Sequence, residues 1–257
     1  MAVFVTAETL AAQPGLAHGF FTRRGGVSSG AFAALNCSLS GRDDAEAVRE
    51  NRRRAADALG LPGGVLAGLT QVHGDAVAVL DTPWPEDRRP LADAVVTRRP
   101  GLALGIVTAD CAPVLFADPV AGVIGAAHAG WRGAVGGVLE ATIEAMLGLG
   151  AQRARIHAAI GPCIRQPSYE VAADLRDAVL ARDPADARFF AEGRREGRWQ
   201  FDLAGYCAAR LSAAGAAVEV TPHDTLTNES DFFSHRRNTI AGGGPIGHQL
   251  SAIALAG

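Results

Sequence analysis

Leu102 to Thr108 reads Leu-Ala-Leu-Gly-Ile-Val-Thr, with no charge between Gly101 and Asp110. A short run of this kind suits a β-strand covered on both faces, so other elements must pack on either side of it. Pro113–Ala117 and Val123–Ala127 flank Asp118-Pro119-Val120-Ala121-Gly122, the pattern of two strands joined by a tight connection. After His128 the chain turns through Gly130-Trp131-Arg132-Gly133 into a helix expected from about Ala134 to Leu147. Val135, Val138, Leu139, Thr142, Ile143 and Met146 form its apolar stripe at helical spacing.

The flanking regions read as strands mixed with helices. Ala2–Thr6 and Ala17–Thr22 are early strands, followed by a glycine- and serine-rich loop over Arg23–Asn36. Asp43 and Asp44 can cap a helix over Ala45–Leu59, with Gly60 as its stop and Pro62 beyond. Arg49, Arg52, Arg53 and Arg54 on that helix read as a solvated face. Val65–Val72 and Ala76–Leu80 are expected to pair as strands around His73-Gly74-Asp75, and Asp81–Leu91 to be an exposed loop. A strand over Arg155–Ile160, helices over about Val171–Leu180 and Asp202–Ala214, and strands over Ala217–Val220 and Ile246–Leu255 complete the chain. No repeat or linker divides it. The expected class is α+β, a single domain over 1–257 of mixed β-sheets flanked by helices.

Charge excludes some partners. The net charge of −3 gives no basic field for nucleic acid or an anionic membrane. The basic residues are all arginine; without lysine, Schiff-base chemistry is excluded. There is no apolar stretch long enough for a membrane span and no signal-peptide pattern at the start. Cys37, Cys111, Cys163 and Cys207 are widely spread, so disulfides are not implied and a reducing cytoplasm is the expected location. Cys37, Cys163 and Cys207 have no partners at ligand spacing and read as small buried residues.

Chemistry concentrates in three stretches, Gln71-Val72-His73-Gly74, Thr108-Ala109-Asp110-Cys111 and His128-Ala129-Gly130-Trp131-Arg132-Gly133. Each lies where an apolar run gives way to glycine or polar residues. His73, Cys111 and His128 offer two imidazoles and a thiol, a set that suits zinc and leaves a fourth tetrahedral position open. From the residues alone, the alternatives are a buried structural cysteine with two hydrogen-bonded core histidines, or a Cys–His nucleophilic dyad without metal. Asp110 is either a partner for a ligand histidine, a general acid or base, or a turn residue bonding its own backbone. Arg132, before the expected helix, is either a phosphate anchor or a guanidinium stacked on Trp131. Arg23, Arg236 and Arg237 are further anion candidates. Phe232 and Phe233 either stack on a purine or pack in the core.

These motifs together resemble the YfiH/PgeF family, the "polyphenol-oxidase laccase" domain proteins associated with purine nucleoside phosphorylase activity. The resemblance continues in Phe21–Ser28, Leu35-Asn36, Ala159–Ile164, Ser168–Val171 and Phe232–Arg237, and covers nearly the whole chain. It implies a YfiH-like cysteine hydrolase fold with zinc on His73, Cys111 and His128, copper being the second choice. It also implies catalytic roles for Cys111, Asp110 and Arg132, and substrate contacts from Arg23, Asn36, Gln71 and Arg236. The activities implied are phosphorolysis of adenosine, inosine and methylthioadenosine, and deamination of adenosine. The substrates are therefore purine nucleosides and phosphate.

Two other functions stay open. One, also implied by the resemblance, is zinc-dependent cleavage of an amide in a nucleotide-linked peptidoglycan precursor. The other is a non-catalytic metal-binding module closed by a fourth ligand from His223, His235 or His248. A multicopper oxidase is not compatible with a chain of seven histidines that lacks any His-x-His pair. The chain departs from the family pattern at Thr225-Leu226-Thr227, at His235 and at Gly247-His248, which weakens any carry-over of C-terminal substrate contacts.

Overall fold

The apolar runs become strands, and their alternating side chains decide the layering. In chain order, the computed structural model, which describes residues 1–40, 42–61 and 65–255, begins with β1 (Phe4–Val5), α1 (Glu8–Ala11), β2 (Leu16–Phe21) and α2 (Ala45–Ala58). Next come β3 (Val65–Ala67), β4 (Val77–Val79), β5 (Ala94–Thr97), β6 (Leu102–Thr108), β7 (Ala112–Asp118) and β8 (Val123–Ala129). Helices α3 (Trp131–Gly136) and α4 (Val138–Gly148) follow, then β9 (His157–Ile160), β10 (Glu170–Val171) and α5 (Ala173–Arg182). The chain closes with β11 (Phe190–Glu192), β12 (Trp199–Phe201), α6 (Leu203–Ala213), β13 (Ala217–Val220), α7 (His235–Ile240) and β14 (Gln249–Leu255).

Five strands form one sheet in the order β1-β2-β14-β6-β3, and six form another in the order β13-β9-β7-β8-β5-β4; β10, β12 and β11 make a small third sheet. Successive side chains on a strand face opposite ways, and the cores follow this closely. On β7, Leu115 and Ala117 join a core shared with Leu104, Ile106 and Ile253 of the five-stranded sheet, so the two sheets pack face to face. Val114 and Phe116 of the same strand point the other way, into a core with Val138, Ile143, Leu203 and Leu211 of α4 and α6. The outer face of the five-stranded sheet, through Phe21, Leu250 and Ala252, receives Ala55 from α2 and Leu59 from the residue that ends it. The result is four layers, helix, sheet, sheet, helices. The β6 run is buried on both sides, as its composition requires. Each such Leu, Ile or Phe contributes roughly 1.5–3 kcal/mol by leaving water.

Several local expectations change. Val65–Val72 and Ala76–Leu80 do not pair with each other. β3 lies parallel to β6 in the five-stranded sheet, and β4 lies parallel to β5 in the six-stranded one. The segment between them therefore crosses from one sheet to the other, which puts His73 where the two meet. The helix expected from Ala134 begins earlier and is broken: Gly137, in left-handed backbone at φ 109, ends α3 and starts α4. Arg52 is not part of a solvated face; its guanidinium donates to Cys37 O at 3.1 Å and Leu66 O at 3.0 Å, tying α2 to β3. Asp44 caps α2 by accepting from Glu46 N at 3.0 Å. The expected breaker Pro62 lies outside the described residues. Among the described residues no helix is long and apolar enough to cross a membrane.

Candidate metal centre

The β7–β8 hairpin sets two of the three donors. Its register pairs Ala112 with Ala129 and Pro113 with His128, so Cys111, one residue before β7, sits beside His128. His73 arrives from the crossing between sheets. The donor atoms of His73, Cys111 and His128 all lie within 4.8 Å of one another. The two imidazoles meet edge to face, with centroids 4.7 Å apart and planes at 81°.

One buried carboxylate organises both histidines. Asp93 Oδ1 meets His128 Nδ1 at 2.7 Å and accepts from His73 N at 2.9 Å. Its Oδ2 accepts from Gly74 N at 2.7 Å and Val72 N at 3.1 Å. His73 has φ 62, a left-handed conformation that a non-glycine residue adopts only when its surroundings hold it there. The three amides on Asp93 do so. Burial opposes the Asp93 carboxylate, but the bonds from His128, Gly74 and Val72 outweigh it and keep its pKa below the ordinary value. With Nδ1 engaged, His128 presents Nε2 to the cluster. Sequence reasoning missed Asp93. Its signal was a lone acid at the head of the apolar run Ala94–Thr97, a charge that has to be paired if buried.

The residues fit a metal ion. A Cβ on Gly130 would lie 3.0 Å from His73 Cδ2, 3.1 Å from Cys111 Sγ and 3.8 Å from His128 Nε2, so the glycine keeps the space among the donors free. Burial pushes the Cys111 thiol up, but His128 and His73 more than compensate and bring it down to about 6. The same contacts act on His128: burial lowers it, while Cys111 and Asp93 raise it to about 9. A thiolate with a proton held on its neighbour is the form in which a cation can replace that proton. Among the described residues no fourth His, Cys, Asp or Glu joins the group, which leaves a coordination position open.

The cluster lines a cleft of about 610 Å³ between the ends of the two large sheets. Arg132 and Arg236 line it as well. Arg132 stacks on Trp131 at 4.4 Å. It lies within α3, only six residues long, so its anion-binding capacity rests on the guanidinium and not on a helix terminus. Arg236 sits 5.3 Å from the centre of the Tyr169 ring and donates from one guanidinium nitrogen to Glu170 O at 2.9 Å.

Other expected site residues are used elsewhere. Arg23 lies outside the cleft, donating to Ala33 O at 2.8 and 2.6 Å and resting on Phe233. Asn36 is buried, with its amide on Asp43 and its oxygen accepting from Ser38 N and His248 N. Gln71 touches the cleft, but its amide pairs with both N and O of Val107 at 3.0 and 2.8 Å, in the manner of one more strand residue. Asp110 contacts no ligand histidine; it accepts from Thr225 Oγ1 and Arg236 N, both at 2.6 Å, and so positions the start of α7. Arg237 is committed to the carbonyls of Thr225, Leu226 and Phe232, and Phe232 and Phe233 are core residues. His235 and His248 line the cleft, whereas His223 packs edge-on against Phe232. Cys37, Cys163 and Cys207 are buried and free.

Similar proteins match this chain over most of their length. A family model described as multi-copper polyphenol oxidoreductase laccase matches residues 17–256. A Deinococcus radiodurans protein named purine nucleoside phosphorylase is 44% identical over 246 residues, 93% of this chain and 88% of that one. The Neisseria meningitidis protein NMB0706 superposes with a TM-score of 0.85 at 34% identity, over 100% of this chain and 99% of that one. The Bacillus licheniformis protein YfiH superposes with a TM-score of 0.84 at 30% identity, over 93% and 92%. The family description names an oxidase, but one thiol and two imidazoles form a mononuclear group and not a multicopper cluster.

Proposed function

The chain belongs to the laccase-like, YfiH-type family whose model spans residues 17–256, and from that membership we propose that it is a zinc-dependent purine nucleoside phosphorylase. Adenosine, inosine and methylthioadenosine are the substrates of phosphorolysis, and adenosine is also deaminated. The observation that carries the reading is the cleft itself, in which His73, Cys111 and His128 stand together with Arg132 and Arg236. The identity with a protein named purine nucleoside phosphorylase supports it. Zinc fits a thiolate with two imidazoles better than copper, the second choice.

His73, Cys111 and His128 would hold the ion, which when bound supplies a fixed positive charge and Lewis acidity. Arg132, exposed and without a carboxylate partner among the described residues, grips phosphate, and Arg236 supplies a second guanidinium. In phosphorolysis a phosphate oxygen bonds to C1′ as the C1′–N9 bond breaks; the electron pair passes to the purine, which takes up a proton. Leu69, Val107, Ile164 and Leu203 give the cleft an apolar lining that keeps water from the base. Asp110, with a bond accepted on each carboxylate oxygen, serves by holding Arg236 in place.

The test is product analysis. Zinc-loaded protein with inosine and phosphate should yield hypoxanthine and ribose 1-phosphate, and with adenosine and no phosphate it should yield inosine. Absence of both products from protein with full metal occupancy rejects the reading.

A further inference from the structure

Breaking the C1′–N9 bond leaves a purine anion unless a proton arrives with the electron pair, so the cleft needs an acid. Most of its polar side chains cannot serve. Asp110 accepts a bond on each carboxylate oxygen, so both act as acceptors. Arg89, Arg132 and Arg236 keep their protons at any working pH. Burial pushes the Tyr169 phenol above its ordinary value, and Cys111 adds to the rise, so it holds its proton. Burial, His128 and the other cations around it lower His248 to about 4, so that ring is neutral near pH 7. His73, Cys111 and His128 would hold the ion. Among the described residues of the cleft this leaves His235.

The start of α7 fixes where His235 stands. Asp110 Oδ2 accepts from Arg236 N at 2.6 Å. Gln249 holds the chain just before the helix, accepting from Phe233 N at 2.9 Å and donating to Phe233 O at 3.3 Å. Ser234 Oγ accepts from Arg237 N at 3.1 Å and caps the first turn. From this frame two successive side chains leave in different directions, as neighbours on a helix do. Arg236 reaches Tyr169 and Glu170 beside the small sheet. His235 lies toward His248, at the end of the five-stranded sheet, near enough for its charge to act on that ring. It is exposed and lines the cleft. A bond from Thr239 Oγ1 at 2.9 Å goes to its carbonyl, and its ring has no partner among the described residues.

A nucleophile that displaces a base from C1′ directly enters on the opposite face of the sugar. With phosphate on Arg132 and Arg236, the base departs toward the wall that His235 and His248 share. Leu69 and Val107 stand on that wall too, and Val107 pairs with Leu250 across the sheet, so the base meets apolar surface there. We propose that His235 is the general acid of phosphorolysis, which passes its imidazolium proton to N7 of the departing purine. The proposal rests on the purine nucleoside reading and deepens it. As a phosphate oxygen bonds to C1′, the C1′–N9 electron pair enters the purine ring and N7 takes the proton. Hypoxanthine leaves neutral, water recharges the imidazole, and the phosphate's own proton is released as ribose 1-phosphate ionises. Imidazole suits the step because its proton exchanges near neutral pH.

The test compares His235→Gln with wild type, both zinc-loaded full chains, on inosine and 7-methylinosine. The 7-methyl base already carries a positive charge and leaves neutral without a proton. Glutamine keeps a polar side chain of similar size but has no proton to give. In the variant, kcat/KM for inosine should fall about 100-fold, the low end for a general acid, while 7-methylinosine stays within about threefold of wild type. 4-Nitrophenyl riboside, whose leaving group also departs unprotonated, gives the same comparison if the methyl group does not fit the cleft. His235 is exposed and its ring unbonded, so the variant should fold, which circular dichroism checks. Equal loss on both substrates overturns the acid role and leaves His235 a residue that shapes the cleft. Undiminished inosine cleavage by the variant overturns it as well, and in both cases the purine reading stands. No inosine cleavage by the wild type overturns that reading and the acid together.

Discussion

Asp93→Asn changes charge with almost no change of shape, and the structure shows what that does. The carboxylate receives four bonds, His128 Nδ1 and His73 N on one oxygen, Val72 N and Gly74 N on the other. An amide offers an acceptor on one side only. If its oxygen faces Val72 and Gly74, its NH2 meets the His73 amide and drives His128 to accept at Nδ1. The imidazole proton then moves to Nε2, the nitrogen that faces Cys111. If the amide is flipped, the left-handed turn at His73 loses two bonds. Either way two buried groups lose their partners, at about 1–3 kcal/mol each, for a total of roughly 2–6 kcal/mol. In a chain of this size that lowers Tm by about 5–15 °C. Metal affinity should fall about 10- to 100-fold, the usual effect of removing the partner of a ligand histidine. The assay is competition with a chelator of known affinity, on protein shown by circular dichroism to be folded. Nitrogen NMR of His128 should report the tautomer change. Metal affinity within twofold of wild type, with the His128 tautomer unaltered, would refute the assignment of Asp93 as the residue that positions both histidines.

Cys111→Ser should lower zinc content and turnover together, because a hydroxyl is a much poorer zinc ligand than a thiolate; full zinc occupancy with no turnover, and a covalent adduct in the wild type, would make Cys111 a nucleophile. Arg132→Ala should weaken phosphate use by about 1.5–3 kcal/mol and affect adenosine deamination less, measured as phosphate dependence of inosine cleavage beside deamination; an unchanged phosphate dependence leaves Arg132 a stacked surface residue. Asp118 is buried and accepts from Val120 N, Ala121 N, Gln152 N and Arg155, so Asp118→Ala should cost about 3–5 kcal/mol in urea unfolding at pH 7. Burial opposes its charge, but the Ala121 and Gln152 amides and Arg155 prevail and its pKa is lowered. Its stabilisation is therefore full above the ordinary carboxylate range and is lost as pH falls through the lowered value. The wild type should lose more stability than Asp118→Ala between neutral pH and pH of about 3, and equal losses would contradict this.

Much of the fold was legible because local pattern records burial. The apolar runs of β7 and β8 on either side of Asp118–Gly122, the uncharged run of β6, the stripe on α4 and the Asp44 cap each describe a segment's surroundings through its own residues, and all four appear in the structure. The three donors were legible for the same reason, as polar residues placed where strands end. Pairing between distant segments was not. Nothing in Val65–Val72 and Ala76–Leu80 says that they join different sheets, because a strand's partner is chosen by the packing of the whole molecule. Arg23, Asn36 and Gln71 have the chemistry of substrate contacts, yet each is bound to backbone groups that become neighbours only after folding. Asp93 is the converse, an unremarkable acid in the sequence that becomes the hub of the centre. Sequence by itself determined which residues can be buried and which can act. The tertiary structure alone decided which of them meet, because hydrogen bonds and ion pairs depend on distances between segments that chain order does not encode.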